Sequence, residues 1–395
     1  MKNRINKLIN IITVVVLLAS GVVLLEMMAR LAWHYKYNKW LEKELHGFER
    51  IDYRRGIIIP KENTIETVKS YKEDLMKFGK TLGLKYFYET APYLTSQDDS
   101  TVLFSNNKYG FKGPEISMPK PDSVFRILTI GDSCTWGPPS DYYSYPRIME
   151  RELSRLIDNK FRIEVVNAGV YGYNFERVIK RIDEFLAIDP DLIIIYLGWN
   201  RTIFRADIQK NMFLYRNLAL YKIFYHLVVN RKDTGLNEDY SKTTFYNTRA
   251  IENNKFQAYN FNYDINDLDV IIRKIKDKNK SIKVMLITLA GLFDLRVNPD
   301  QRSLDIGYPI ASTNNLYILS LLTAKFNSEL RNYARSEGLP IIDFELYALE
   351  NFVPRSRYFF DSVHPTIEGY LKMGRFFANE IIRILNLQKV KEGHY

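Results

Sequence analysis

The chain has 395 residues, 46% hydrophobic, 26% charged and 14% aromatic. That composition is too apolar for intrinsic disorder and too charged for a polytopic membrane protein. The single cysteine, Cys134, excludes an internal disulfide framework and a cysteine-based zinc finger, while the net charge of +10 raises nucleic-acid binding until the charge is located.

Part of that charge lies at the amino terminus. Lys2, Arg4 and Lys7 precede a run from Leu8 to Leu25 that only Asn10, Thr13, Ser20 and Gly21 interrupt. As a helix, eighteen residues rise about 27 Å, close to the roughly 30 Å hydrocarbon thickness of a bilayer. Met27, Met28 and Ala29 extend the span, with Glu26 its one awkward residue. A cleaved signal peptide is the rival reading, but Leu18-Ala19-Ser20 is a poor cleavage site, so an uncleaved anchor over residues 1–30 is expected. Arg30, Lys36 and Lys39 follow the span, so the positive-inside rule gives only a lean towards a cytoplasmic amino terminus and an extracytoplasmic remainder. Residues 1–30 carry a net +3, and the other +7 is diffuse. Without an arginine-rich block or a basic helix interleaved with aromatics, nucleic acid is not an expected partner.

Residues 31–121 read as a stalk or cap. A helix is expected within Glu62–Leu82, where Ile65, Val68, Leu75, Phe78 and Leu82 fall near helical spacing. Asn106-Asn107-Lys108-Tyr109-Gly110 reads as a turn, and Met118-Pro119-Lys120-Pro121 as a linker.

After Pro121 the pattern changes. Five apolar runs, Phe125–Ile130, Ile163–Val166, Leu192–Leu197, Lys283–Leu289 and Pro340–Phe344, alternate with helical stretches at Ser144–Leu156, Phe175–Leu186, Asp267–Lys278, Thr323–Ser336 and Thr366–Leu385. Continuous apolar strands alternating with helices specify a parallel sheet covered on both faces. The expected fold is a three-layer α/β/α sandwich with a five-stranded parallel sheet, over residues 122–388. Ligands bind outside the carboxyl ends of such strands, so the polar residues just after each run are the ones to test.

Those residues are Ser133, Gly169 and Asn200, and the loop before the last helix adds Asp361-Ser362-Val363-His364. Together they make a complete acyl-transfer set. A serine hydroxyl is a weak nucleophile until a histidine takes its proton. His364 can do so if Asp361 fixes its tautomer. The backbone N–H groups of Ser133 and Gly169 and the amide of Asn200 would form an oxyanion hole.

In these motifs the chain resembles the SGNH (GDSL) hydrolases. Gly131-Asp132-Ser133 matches the first block, with Ser133 as nucleophile. Asn167 to Asn174 is similar to the second, with Gly169 as oxyanion donor, and Gly198-Trp199-Asn200 to the third. Asp361 to His364 matches the last, which supplies acid and base. The resemblance covers about residues 105–385 and includes the lead-in Asn107–Glu115, similar to that of membrane-anchored bacterial members. Arg201 stands where the third block usually ends in Asp, which puts the local hydrogen bonding in doubt. The resemblance implies a flavodoxin-like sheet order and ester hydrolysis without a cofactor.

Other features carry less. Cys134 reads as a small packing residue and Asp132 as structural. His34, His46, His226 and His394 lack partners at ligand spacing, so no metal is expected, and no glycine-rich loop with a following lysine suggests a nucleotide. Trp136, Tyr171, Tyr173 and Trp199 flank the proposed site and are candidates for stacking on sugar rings. An insertion at about 201–264, with a helix near Leu214–Val228, is a candidate lid, acceptor platform or membrane-lying element. A glycan on the sequon Asn200-Arg201-Thr202 would destroy the oxyanion donor, which favours a bacterial envelope. The expected activity is hydrolysis of an acyl ester, most simply acetyl, on a glycan or envelope polysaccharide. The alternatives are an O-acyltransferase using the same residues and a non-catalytic polysaccharide-binding protein.

Overall fold

The computed structural model describes residues 2–43, 45–74, 97–157, 161–200, 214, 218–224, 262–306 and 316–387. The helices used below are α1 (Lys2–Lys43), α2 (Ser133–Trp136), α3 (Tyr145–Leu156), α4 (Phe175–Ile179), α5 (Ile182–Ala187), α6 (Ala219–Phe224), α7 (Asn262–Lys278), α8 (Leu316–Ser336) and α9 (Ile367–Leu385). The strands used below are β1 (Thr64–Thr67), β2 (Val102–Asn106), β3 (Val124–Gly131), β4 (Arg162–Gly169), β5 (Leu192–Tyr196), β6 (Lys283–Ile287) and β7 (Ile341–Ile342). The chain divides into two compact units.

The first unit comprises Met1–Leu45, Ile51–Ile58 and Asp207–Gly235. Within α1, Asn10–Lys36 is long and apolar enough to cross a membrane. Glu26, the awkward residue of that stretch, has a purpose inside the unit. Its two carboxylate oxygens accept the first amides of α6, from Ala219 at 2.8 Å and Leu220 at 3.0 Å, and Arg30 Nε donates to it at 2.9 Å. The carboxylate thus satisfies donors that a helix start leaves open. Most of the rest of the insertion, including the expected continuation of its helix to Val228, lies outside the described residues.

The second unit, His46–Arg50, Ile59–Ala206 and Leu236–Tyr395, contains the sheet. Its five strands run parallel in the order β4-β3-β5-β6-β7. All five apolar runs are strands, and every residue of β5 is buried. The last strand is shorter than its run because Asp343 turns away, accepting the Leu346 amide at 3.2 Å to cap the next helix. On the helical side α3 packs against α9, and α7 against α4, α5 and α8. Gly374 makes the first contact close: a Cβ there would lie 2.7 Å from Ile148 Cβ. The single helix expected at Phe175–Leu186 is two, broken where Arg181 turns inward to meet Glu184 at 2.9 Å and the Tyr173 hydroxyl at 3.4 Å.

The helix expected within Glu62–Leu82 is there, but it begins only at residue 68. Thr64–Thr67 is β1, paired antiparallel with β2, and residues 68–74 are helical; residues 75–96 lie outside the described residues. Three β-branched residues, Thr64, Ile65 and Thr67, favour the ladder over the helical period. This strand pair borders a small core in which Phe48, Val68, Tyr71, Leu103 and Phe104 pack with Trp136 of α2.

The apolar run of β3 conceals Arg126, which is fully buried. Its guanidinium pairs with Glu164 on β4, donates to the Ile188 carbonyl and reaches Ser117 O at 2.8 Å. Removing one partner of a buried pair leaves the other uncompensated. Arg126→Met should therefore lower unfolding stability by about 3 kcal/mol, read by chemical denaturation. A loss below about 1 kcal/mol, the range of exposed pairs, would contradict this.

Candidate active site

The site is built on α2, a helix of four residues that cannot stand alone. Asp132 caps it, its side chain accepting the Cys134 amide at 3.0 Å, and Ser133 takes the first helical position. Gly131 and Gly169, paired in register at the ends of β3 and β4, let the helix lie against the sheet. A Cβ on Gly131 would be 1.9 Å from Thr135 Oγ1, and one on Gly169 2.2 Å from the Trp136 amide nitrogen. Gly137, at φ +83°, then turns the chain out of the helix.

The second half comes from the loop before α9. Asp361 Oδ1 accepts the amides of Val363 at 2.8 Å and His364 at 2.7 Å, folding the four residues into a tight turn. Asp361 Oδ2 lies 2.7 Å from His364 Nδ1, and His364 Nε2 lies 2.8 Å from Ser133 Oγ. A carboxylate at Nδ1 keeps the proton there and leaves the Nε2 lone pair facing the hydroxyl. The loop is braced from behind, where Leu292 N donates to Ser362 O at 3.0 Å. Phe360 stacks on the His364 ring, centroids 5.5 Å apart.

Burial alone would lower the His364 pKa; the charge and hydrogen bond of Asp361, with Asp132 adding, outweigh it and raise the pKa above 6.5. Burial likewise pushes the Asp132 carboxyl up to about 6, against the pull of the Cys134 amide and of His364. The Cys134 thiol is pushed well above its ordinary range, by burial first. It is enclosed, with Sγ against Val363 O at 3.6 Å, as a packing residue would be.

The oxyanion candidates are not equivalent. Asn200 follows β5, and its side-chain Nδ2 is buried with no hydrogen-bond partner among the described residues. The Ser133 amide, at the helix start, has no intrahelical acceptor. Gly169 differs: its N–H already donates to Asn167 Oδ1 at 3.0 Å, so its glycine character serves the approach of Trp136. Further along that loop Gly172 turns at φ +67°, and its N–H meets no acceptor among the described residues.

Of the four aromatics read as sugar platforms, only Tyr171 is partly exposed. Trp136 is fully buried, stacked on Phe48 at 5.1 Å and edge-on to Phe104 at 5.3 Å. Tyr173 and Trp199 are buried as well, so protein covers the faces that a sugar would need. Two residues the sequence did not single out border the site: Phe360, partly exposed beside His364, and Lys112, buried beneath α2. His46, read as lacking a partner at ligand spacing, faces Asp74 Oδ2 at 2.6 Å across 28 positions, a pairing that local spacing cannot show. Among the described residues no group of His, Cys, Asp and Glu is arranged to hold a metal ion.

Two outcomes follow from this geometry. If His364 must be neutral to accept a proton, kcat/KM falls as pH drops through its raised pKa, so the acid limb lies on the alkaline side of that of an ordinary imidazole. Asp361→Asn removes the charge that raises it; the limb then moves to lower pH and kcat falls about 10⁴-fold. An unmoved limb in a pH–rate profile would dissociate Asp361 from His364. Separately, Gly169→Ala forces Trp136 away from β4 and should reduce turnover at least about tenfold through misplacement of α2. Wild-type turnover in that variant would show that the contact is not needed.

Comparison with known proteins gives a family match and several similar solved structures. The GDSL-like lipase/acylhydrolase family matches residues 129–372, more than half of the chain. Similar solved structures include a lipase/acylhydrolase from Enterococcus faecalis, 18% identical, covering 67% of this chain and 98% of that one with a TM-score of 0.39. A GDSL-like lipase from Bacteroides thetaiotaomicron is 14% identical, covering 68% and 93% with a TM-score of 0.39. An acetyl xylan esterase is 17% identical, covering 65% and 100% with a TM-score of 0.38. A comparison with curated proteins found no match. The chain belongs to the GDSL-like lipase/acylhydrolase family and is an ester hydrolase of that type.

Proposed function

We propose that the protein is a membrane-anchored serine esterase that removes an acyl group, most simply acetyl, from a glycan or envelope polysaccharide outside the cytoplasm. The observation that carries this reading is the hydrogen-bonded chain from Ser133 Oγ through His364 to Asp361. His364 Nε2 takes the hydroxyl proton as Ser133 Oγ attacks the ester carbonyl. The tetrahedral oxyanion is met by the Asn200 amide and the Ser133 N–H, with Gly172 as the loop donor in place of the occupied Gly169 amide. His364 then passes its proton to the leaving alcohol, and water repeats the cycle on the acyl-Ser133 ester.

A buried amide without a partner costs about 1–3 kcal/mol. Asn200 Nδ2 in that state is what a donor reserved for transition-state charge requires. Tyr171 and Phe360, the partly exposed rings at the site, offer apolar faces for a sugar. The anchor reading rests on Asn10–Lys36 and the basic residues before it.

Release of acetate from an O-acetylated xylo-oligosaccharide tests this reading. Ser133→Ala should lower the rate by at least about 10⁴-fold. With unacetylated oligosaccharide added, release to water should remain the main outcome. Retained activity in the variant would overturn the mechanism, and faster acetyl passage to the sugar than to water would make the protein an O-acyltransferase.

A further inference from the structure

The lead-in segment Asn107–Glu115 has no part in the chemistry described so far, yet it is a built unit. Asn107 Oδ1 accepts the amides of Tyr109 at 3.0 Å and Phe111 at 3.1 Å, and Asn107 Nδ2 donates to Pro114 O at 3.1 Å. Lys112 N donates to Asn167 O at 3.2 Å, fastening the segment to β4. The Lys112 side chain then runs inward and is 1% exposed. Its ammonium donates to the carbonyls of Trp136 at 3.0 Å and Pro138 at 2.9 Å. It also lies against the rings of Phe104 at 4.8 Å and Trp136 at 4.9 Å.

Burying an ammonium without a carboxylate partner is costly. The charged neighbours are Asp141 and Arg147, which face each other at 3.3 Å, while Arg147 also pairs with Glu150 at 2.7 Å. None forms an ion pair with Lys112 among the described residues. A methionine would fill the same space without that cost. What the lysine adds is a cation on the carbonyls where α2 ends, three residues after Ser133. There it complements the negative end of the helix. Asn167 supports the same spot, its Nδ2 reaching Trp136 O at 3.3 Å.

We propose that Lys112 is a positioning residue whose ammonium pins the end of α2 and thereby holds Ser133 Oγ on His364. The proposal rests on the serine-hydrolase reading. Because α2 is a single turn, a shift at Trp136 is passed to Ser133, and a misplacement of 1 Å can cost about 10²-fold in rate. Burial, against the attraction of Asp141, lowers the Lys112 pKa to about 7, so the cation is lost as pH rises through neutrality.

The test is the rate of fluorophosphonate labelling per folded molecule, from pH 6 to about 9, in the full-length wild type, Lys112→Met and Lys112→Gln. In the wild type the rate should rise as His364 deprotonates and then fall on the alkaline side. In Lys112→Met it should be roughly 10- to 100-fold lower at its best and rise to an alkaline plateau. Lys112→Gln, which keeps a donor without the charge, should also lack the alkaline fall, and reads the same effect if the methionine variant does not fold. Variants that label at the wild-type rate with the wild-type pH profile overturn the proposal. A wild type that does not label at Ser133 overturns the serine-hydrolase reading on which it rests.

Discussion

The hydrogen bond between Ser133 Oγ and His364 Nε2 joins residues 231 positions apart, and the second unit is arranged so that it can form. Ser133 leaves the carboxyl end of β3, the strand flanked by β4 and β5 where the sheet order reverses. Such a crevice is where an open parallel sheet presents backbone ends to a ligand. His364 reaches it from the last loop because Asp361 folds that loop on itself with three hydrogen bonds. The same carboxylate sets the tautomer and raises the basicity of the ring, so one side chain serves both conformation and chemistry.

A one-turn helix has too few internal bonds to fix its own position. Here its position is imposed from outside, by two glycines that allow the sheet to approach and by Asp132 at the start. Lys112 and Asn167 meet the carbonyl at its end. The aromatic cluster around Trp136 closes the remaining side, which ties Phe48, Val68, Tyr71, Leu103 and Phe104 to the hydrolase fold. Of the residues read as a stalk or cap, His46–Arg50 and the described ones from Ile59 onward therefore belong to the second unit, which has no boundary at Met118–Pro121.

Much of this was legible in the sequence. Five apolar runs became five parallel strands, because a strand buried on both faces must be apolar throughout, and Ser133, just after the first of them, lies within hydrogen-bond reach of His364. What escaped detection depends on long-range contact. Nothing in the spacing of Trp136 distinguishes a sugar platform from a core residue until Phe48 is seen against it. Gly169 looked like a donor because it ends a strand; its amide is occupied by a neighbour two residues back. Ile65, counted in the helical spacing of Glu62–Leu82, belongs instead to a ladder whose other strand lies far along the chain. Arg126 and Lys112 are charged residues whose burial no hydrophobic pattern announces. The net charge of +10, which first suggested nucleic acid, is divided between the flanks of an apolar helix and a diffuse remainder. Glu26, anomalous in that helix, caps the insertion helix instead.

The central claim is that Ser133 carries the acyl group between ester and water. The most direct measurement is mass spectrometry of the protein quenched during turnover of an activated acetyl ester. The expected result is one acetyl group, located on the peptide that contains Ser133 and lost on further incubation. Continued hydrolysis with no adduct on that peptide, or with the acetyl group on another residue, would contradict it.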